Sequence, residues 1–187
     1  MVNIMKIIKL KLPLTDDEIK KLKAGDIVEL TGTIYTGRDA AHKRLVELIE
    51  KEESLPFDID HSTIYYVGPT PKKPNRVIGV AGPTSSYRMD KYTLPLLKKG
   101  LKVMIGKGPR SNEYKKLLKE YNAIYISTIG GAAALISKTI KKCELVCYED
   151  LKSEAIYRLE VENFFGIVTY DSHGNDIIEE EIKKYSK

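Results

Sequence analysis

The chain has 187 residues, 42% hydrophobic and 30% charged, with a net charge of +5. That length supports one substantial domain with its own core and excludes two large ones, and the composition is ordinary for a soluble globular protein. No apolar run approaches the roughly eighteen residues of a membrane span, and the lysine excess alternates with Glu and Asp, as in EEEIKKYSK, with few interleaved aromatics, which argues against nucleic-acid binding.

The first residues, MVNIMKIIKLKLPL, are interrupted by Lys6, Lys9 and Lys11, so no secretory signal is predicted and a cytoplasmic location is expected. Ile8 to Leu12 alternates with period two and reads as a strand. Thr15 and Glu18 form a capping box that opens a short helix, DDEIKKLK. Gly25-Asp26 turns the chain into a strand over 27–35, and Ala41, Leu45, Leu48 and Ile49 recur at helical spacing between Arg38 and about Glu53. Strands are predicted at 63–68 and 76–82, then a helix over 85–99, despite Pro95, closed by Gly100. A strand at 101–106, a helix near 111–121, a strand at 123–128 and a helix from Gly131 to about Lys142 continue the alternation. Strands around 143–148, 157–162 and 166–171, a turn at 172–175 and an acidic-then-basic terminal helix complete the chain. This order predicts a single α/β domain over residues 1–187 with a mainly parallel central sheet, the early strands forming a candidate separate β layer.

Cys143 and Cys147 lie four apart in a strand-like stretch, which puts them on one face but too far apart for an easy bridge. Two free thiols in a reducing compartment are expected. Two thiolates are too few for a complete iron–sulfur cluster, so none is expected to be bound by this chain alone. Abundant Lys and Glu with no Gln is the composition of a heat-adapted organism.

Three segments share one design, in which a strand ends, a glycine-containing turn follows and a basic or hydroxyl residue opens the next element. They are Tyr35 to His42, Gly82 to Asp90, and Ile105 to Gly108. Ligands of open α/β sheets bind outside the carboxyl ends of strands, and helix N-termini there favour anions. Arg38, Arg88 and Lys107 delivered to such a rim would suit a compound with more than one carboxylate. His42, four residues after Arg38, would share its helix face. Taken singly, the glycines read as turn residues, Thr84 and Ser85 as helix caps, and His42 as structural. Lys107 between two glycines has no packing explanation. An anion site at this rim is as far as the residues themselves lead.

The ordered strings T-G-x-x-Y-T-G-R-D-x-A-H (31–42), Y-Y-V-G-P (65–69), G-P-T-S-S-Y-R-M-D (82–90), I-G-K-G (105–108), G-G-A-A-A-L (130–135) and E-A-I-Y-R-L-E-V-E-N-F-F-G-I-V-T-Y-D-S-H-G-N (154–175) resemble a known family. It is that of the beta subunit, or fused C-terminal domain, of iron–sulfur fumarate hydratases and the related tartrate dehydratases, and the likeness runs from about residue 20 to residue 178. The resemblance implies a swivelling β/β/α domain and reversible hydration of fumarate to L-malate. It implies a [4Fe–4S] cluster held by a partner alpha subunit, an alpha2beta2 heterotetramer, and a homodimer for the isolated chain. Arg38, Arg88 and Lys107, with Ser85, would hold the substrate carboxylates. Thr84 would exchange the proton, with His42 ranked second for that role. Tyr87 occupies a position where the family varies and touches specificity. Tartrate or mesaconate are the alternative substrates; the tartrate relatives tend to carry a cysteine where this chain has Gly37, which leans toward fumarate. A non-catalytic binding or regulatory domain is the rival outside the enzymes, and the intact set Arg38, Thr84, Arg88 and Lys107 argues against it.

Overall fold

The structure, a computed structural model, describes residues 6–128 and 133–185. Five strands close on themselves: β2 (Ile27–Thr36), β3 (Thr63–Tyr65), β4 (Val103–Gly106), β5 (Ile124–Ser127) and β7 (Ile156–Tyr170). β2, β3, β4 and β5 are parallel in that order, and β7 shuts the barrel by pairing antiparallel with both β5 and β2. Two further strands extend it. β1 (Ile7–Lys11) lies parallel to the first half of β2, and β6 (Ile140–Cys147) runs antiparallel to the first half of β7.

The sheet is therefore mixed, and the mainly parallel sheet expected from strand–helix alternation is corrected. The strand–helix alternation holds only as far as β6, and parallel pairing only as far as β5. β6 and β7 are joined by a short 3-10 segment (Glu149–Glu154), which lets the chain reverse instead of crossing over as parallel neighbours must.

Residues on the barrel strands alternate between two cores, as the period of two requires. Tyr65, Val103, Ile105, Ile124, Ile126 and Phe164 point to one side, with Val28, Leu30 and Ile34 of β2, and fill the barrel. Their neighbours Ile64, Tyr66, Met104 and Tyr125 point to the other, under the helices. Both faces being covered, β3 and β4 are buried along their whole length.

The helices are α1 (Asp16–Lys21), α2 (Asp39–Glu50), α3 (Asp90–Lys98), α4 (Asn112–Glu120), α5 (Ala133–Thr139) and α6 (Ile177–Tyr185). α1 begins with the predicted capping box, Thr15 and Glu18 serving each other's backbone N–H. α3 keeps Pro95 inside it and ends before Gly100 at φ +98°, a left-handed position that glycine adopts without cost. None of the helices among the described residues is long and apolar enough to cross a membrane.

Two strand predictions differ. Residues 76–82 form no strand: Val80 exchanges hydrogen bonds with Thr70, and Ala81 N–H donates to Ser137 Oγ, so the segment is tied to a loop and to α5 instead of a ladder. The two late strands are one, β7, bent where Asn163 takes φ 53° and the register against β2 shifts between Leu30/Phe164 and Gly32/Val161. The glycine pair opening the predicted helix at 130–131 lies outside the described residues.

Candidate functional site

The parallel run of β2, β3 and β4 brings their carboxyl ends to one rim. Arg38 follows β2 by two residues and is the N-cap of α2. Lys107 follows β4 directly. The segment around Thr84 is laid beside the ends of both β3 and β4: Thr84 N–H and Oγ1 each donate to the Tyr66 carbonyl, at 2.9 and 3.0 Å, and Ser85 bridges to Lys107 in parallel register. A 3-10 turn (Ser86–Met89) then carries Arg88 into α3.

The cations are partly occupied. Arg38 Nη2 lies 3.3 Å from Glu154 Oε1, while its Nε is buried with no hydrogen-bond partner among the described residues. Arg88 Nε lies 3.1 Å from Asp39 Oδ1, so the residue after Arg38 holds the second arginine. Both pairs are partly exposed, where ion pairs contribute little and exchange readily. The Lys107 side chain is exposed, with no carboxylate within ion-pair distance among the described residues. Arg88 and Asp39 line an open cleft of about 700 Å³ with Tyr87, Lys91 and Ser111.

His42 is placed differently. It shares the helix face with Arg38, but its ring is 1% exposed, edge-on to Tyr66 at 5.3 Å. Nδ1 sits 2.9 Å from the Arg38 carbonyl, and an acceptor there requires Nδ1 to carry the proton. Burial holds its pKa down at about 4, and the nearby Arg110 charge pushes the same way. Gly37 backs onto this ring: a Cβ there would meet His42 Cε1 at 3.0 Å.

Residues 2–181 match the sequence model of the family described as Fumarase C-terminus. The chain belongs to that family. It is 42% identical over 177 residues, 91% of each chain, to a protein of Methanocaldococcus jannaschii named "Putative L(+)-tartrate dehydratase subunit beta". It is also 39% identical over 160 residues to the anaerobic class I fumarate hydratase of Escherichia coli K12, covering 84% of this chain and 29% of that one. Against the mitochondrial fumarate hydratase 1 of Leishmania major it is 37% identical over 171 residues, covering 90% and 31%. The chain thus spans about a third of the fumarate hydratases and nearly all of the separate beta subunit. Both names are those of hydro-lyases, and the chain is of the hydro-lyase beta-subunit type.

For a Fumarase C-terminus chain the two cysteines are instructive. Their spacing predicts one face of the strand. A bulge between Leu145 and Cys147 corrects this, setting Cys143 against the barrel core and Cys147 against the helix-side core. Both thiols are free and half-buried; burial pushes Cys147 up to about 11 and raises Cys143 as well, which keeps them protonated. They do not fit an iron–sulfur cluster, and among the described residues no three His, Cys, Asp or Glu side chains converge on a metal position.

Sequence reasoning missed what lies beneath the rim. Arg110, with its side chain fully buried, lays its guanidinium 3.5 Å from the centre of the Tyr114 ring and 5.0 Å from that of Tyr125. Its Nε donates to Asp90, whose other oxygen accepts from Ser111 N–H. Ser86, wholly buried, receives the Tyr125 hydroxyl at 2.9 Å. The one available signal was the charge at Arg110 so soon after G-K-G; its tyrosine partners are scattered along the chain.

Proposed function

We propose that this chain is the beta subunit of an iron–sulfur hydro-lyase that reversibly hydrates fumarate to L-malate, the [4Fe–4S] cluster residing in a partner alpha subunit. The observation that carries the reading is the rim itself: Arg38 and Lys107 follow the ends of β2 and β4, and the segment that holds Thr84 and Arg88 is laid beside the ends of β3 and β4. Arg88 lines the open cleft, and Arg38 and Lys107 follow strands that end at the same rim. Cations so placed suit a small dicarboxylate, and removing a proton beside a carboxylate builds charge that fixed cations stabilise. Arg38, Arg88 and Lys107, with Ser85, would hold the carboxylates; Arg88 and Arg38 would exchange Asp39 and Glu154 for them.

Thr84 is the better proton-transfer group. Its hydroxyl proton is directed at the Tyr66 carbonyl, which leaves its oxygen lone pairs to accept from substrate, and cations brought beside it would favour the deprotonated form. His42 is buried, with its Nδ1 proton committed to the Arg38 carbonyl, and serves to hold that backbone.

Tartrate dehydration is the second reading, favoured by the M. jannaschii relative, which matches over 91% of each chain. Gly37 opposes it, since a cysteine there would press on the His42 ring. A cytoplasmic alpha2beta2 assembly is the form proposed, with a homodimer for the isolated chain.

The test is co-expression with the alpha partner, anaerobic cluster reconstitution, and a comparison of fumarate, mesaconate and L-tartrate. Fumarate should be the best substrate, the beta chain alone should be inactive, and Thr84→Ala and Arg88→Ala should each lower kcat/KM by about a hundredfold or more. Full activity of Arg88→Ala, or turnover by the beta chain alone, would refute the assignment.

A further inference from the structure

Ser86 is flanked by the residues the proposed site uses, yet it faces away from the cleft and is wholly buried. Its amide N–H donates to the Lys107 carbonyl at 3.1 Å, and its Oγ accepts from Lys107 N–H at 3.0 Å. One residue therefore serves both backbone groups of Lys107. The same Oγ donates to the Thr84 carbonyl at 3.3 Å and receives the Tyr125 hydroxyl at 2.9 Å. A serine hydroxyl has one proton and two lone pairs, so these three bonds fill it.

Gly106 makes the approach possible. A Cβ built there would lie 1.9 Å from Ser86 Oγ and 3.0 Å from the Tyr66 ring. The glycine before Lys107 is thus required for the space it leaves, not for an unusual φ. A second tie runs parallel to this one: Asp90, two residues after Arg88, is gripped by Arg110 Nε and Ser111 N–H from beyond the Lys107 loop.

We propose that Ser86 is a positioning residue, whose hydroxyl and amide fix Lys107 against Thr84 and so set the spacing between the proton-transfer hydroxyl and a carboxylate-holding ammonium. The proposal rests on the hydro-lyase reading for its kinetic consequence, but the tie itself is independent of substrate. Tyr125 is the outer member of the relay, orienting the Ser86 proton toward Thr84 by occupying a lone pair. Buried networks of this kind hold geometry because their polar groups are satisfied within the network and its close neighbours; the Tyr125 hydroxyl also lies 3.4 Å from the Gly108 carbonyl, one residue beyond Lys107.

The experiment uses the assembled alpha/beta enzyme carrying Ser86→Ala or Tyr125→Phe. In Ser86→Ala the Lys107 amide loses its acceptor, and its hydrogen exchange should accelerate while the amides of β5 keep their protection. With 3-deuterated malate, kcat should fall by about ten- to a hundredfold, the order a displacement near 1 Å produces. KM should rise, and the primary isotope effect on kcat should increase as proton transfer becomes slower than product release. Tyr125→Phe should shift each quantity in the same direction by less.

A purely structural serine would lower the melting temperature and leave kcat, KM and the isotope effect of the folded enzyme unchanged; that result overturns the proposal. So does an unchanged exchange rate at Lys107. If the wild-type assembly turns over none of the three dicarboxylates, the hydro-lyase reading fails, and the exchange measurement still decides whether Ser86 holds Lys107.

Discussion

At the scale of single residues, His42 shows how burial decides chemistry. An exposed imidazole titrates near 6.5, whereas this one is held at about 4 by desolvation and by Arg110. Between those values the unfolded chain binds a proton that the folded chain refuses. Stability is therefore present in full above pH 6.5 and is lost as pH falls toward 4, by on the order of 3 kcal/mol. Urea titrations across this window should show the decline in the wild type and a flatter dependence in His42→Gln. The carboxylates held low, such as Asp16 and Asp171, lose their contribution mainly at more acid pH and appear in both proteins. Equal slopes would mean that His42 charges freely in the native state. The residue scale is also where the sequence said most about the site: Arg38, Thr84, Arg88 and Lys107 stand out because their glycine-flanked strings are local. Ser86 did not stand out, because what distinguishes it from Ser85 is the Lys107 loop that reaches it across the sheet.

Elements carry the next level of information, and they fail for identifiable reasons. Capped, periodic helices were legible, α1 and α4 to within a residue or two, because Thr15 and Ser111 begin them by local hydrogen bonds. Residues 76–82 have strand composition but no free ladder beside them. β6 is a strand as expected, yet its bulge turns Cys143 and Cys147 to opposite layers. The bulge leads to a simple expectation. Residues four apart in extended chain are separated by roughly 13 Å, well beyond the 7 Å at which a bridge closes, and here they also face apart. Diamide treatment of the native protein should form no intramolecular disulfide, and thiol titration in denaturant should then recover two thiols per chain. Recovery of none, with monomeric mass, would contradict the described strand.

For the whole molecule, β7 is decisive. It is the strand that closes the barrel, since it pairs with β2, β5 and β6. Phe164, fully buried within it, packs edge-on against Tyr65 at 5.3 Å. Phe164→Ala should cost about 3–5 kcal/mol, a large part of a typical domain's stability. Because the barrel core and the helix-side core share the same strands, both should be lost together. Far-ultraviolet circular dichroism and tyrosine fluorescence are expected to report one coincident urea transition, shifted to lower denaturant in the variant. Separate transitions for the two probes would mean that the two cores unfold independently.

The sequence by itself determined the family and most of the helices, and singled out the five residues proposed to meet the substrate, since all of these are written in short strings whose physics is local. Tertiary structure alone decided three things. It made the sheet mixed, because whether a late strand runs parallel or antiparallel depends on which edge remains open when it arrives. It buried His42 and gave it one tautomer, since desolvation is set by Tyr66 and the packing of distant segments. And it joined Thr84, Ser86, Lys107 and Tyr125 into one network, from residues up to 41 positions apart. Hydrogen bonds across a sheet are satisfied by whichever strand lies beside them, and no local pattern in the chain records that neighbour.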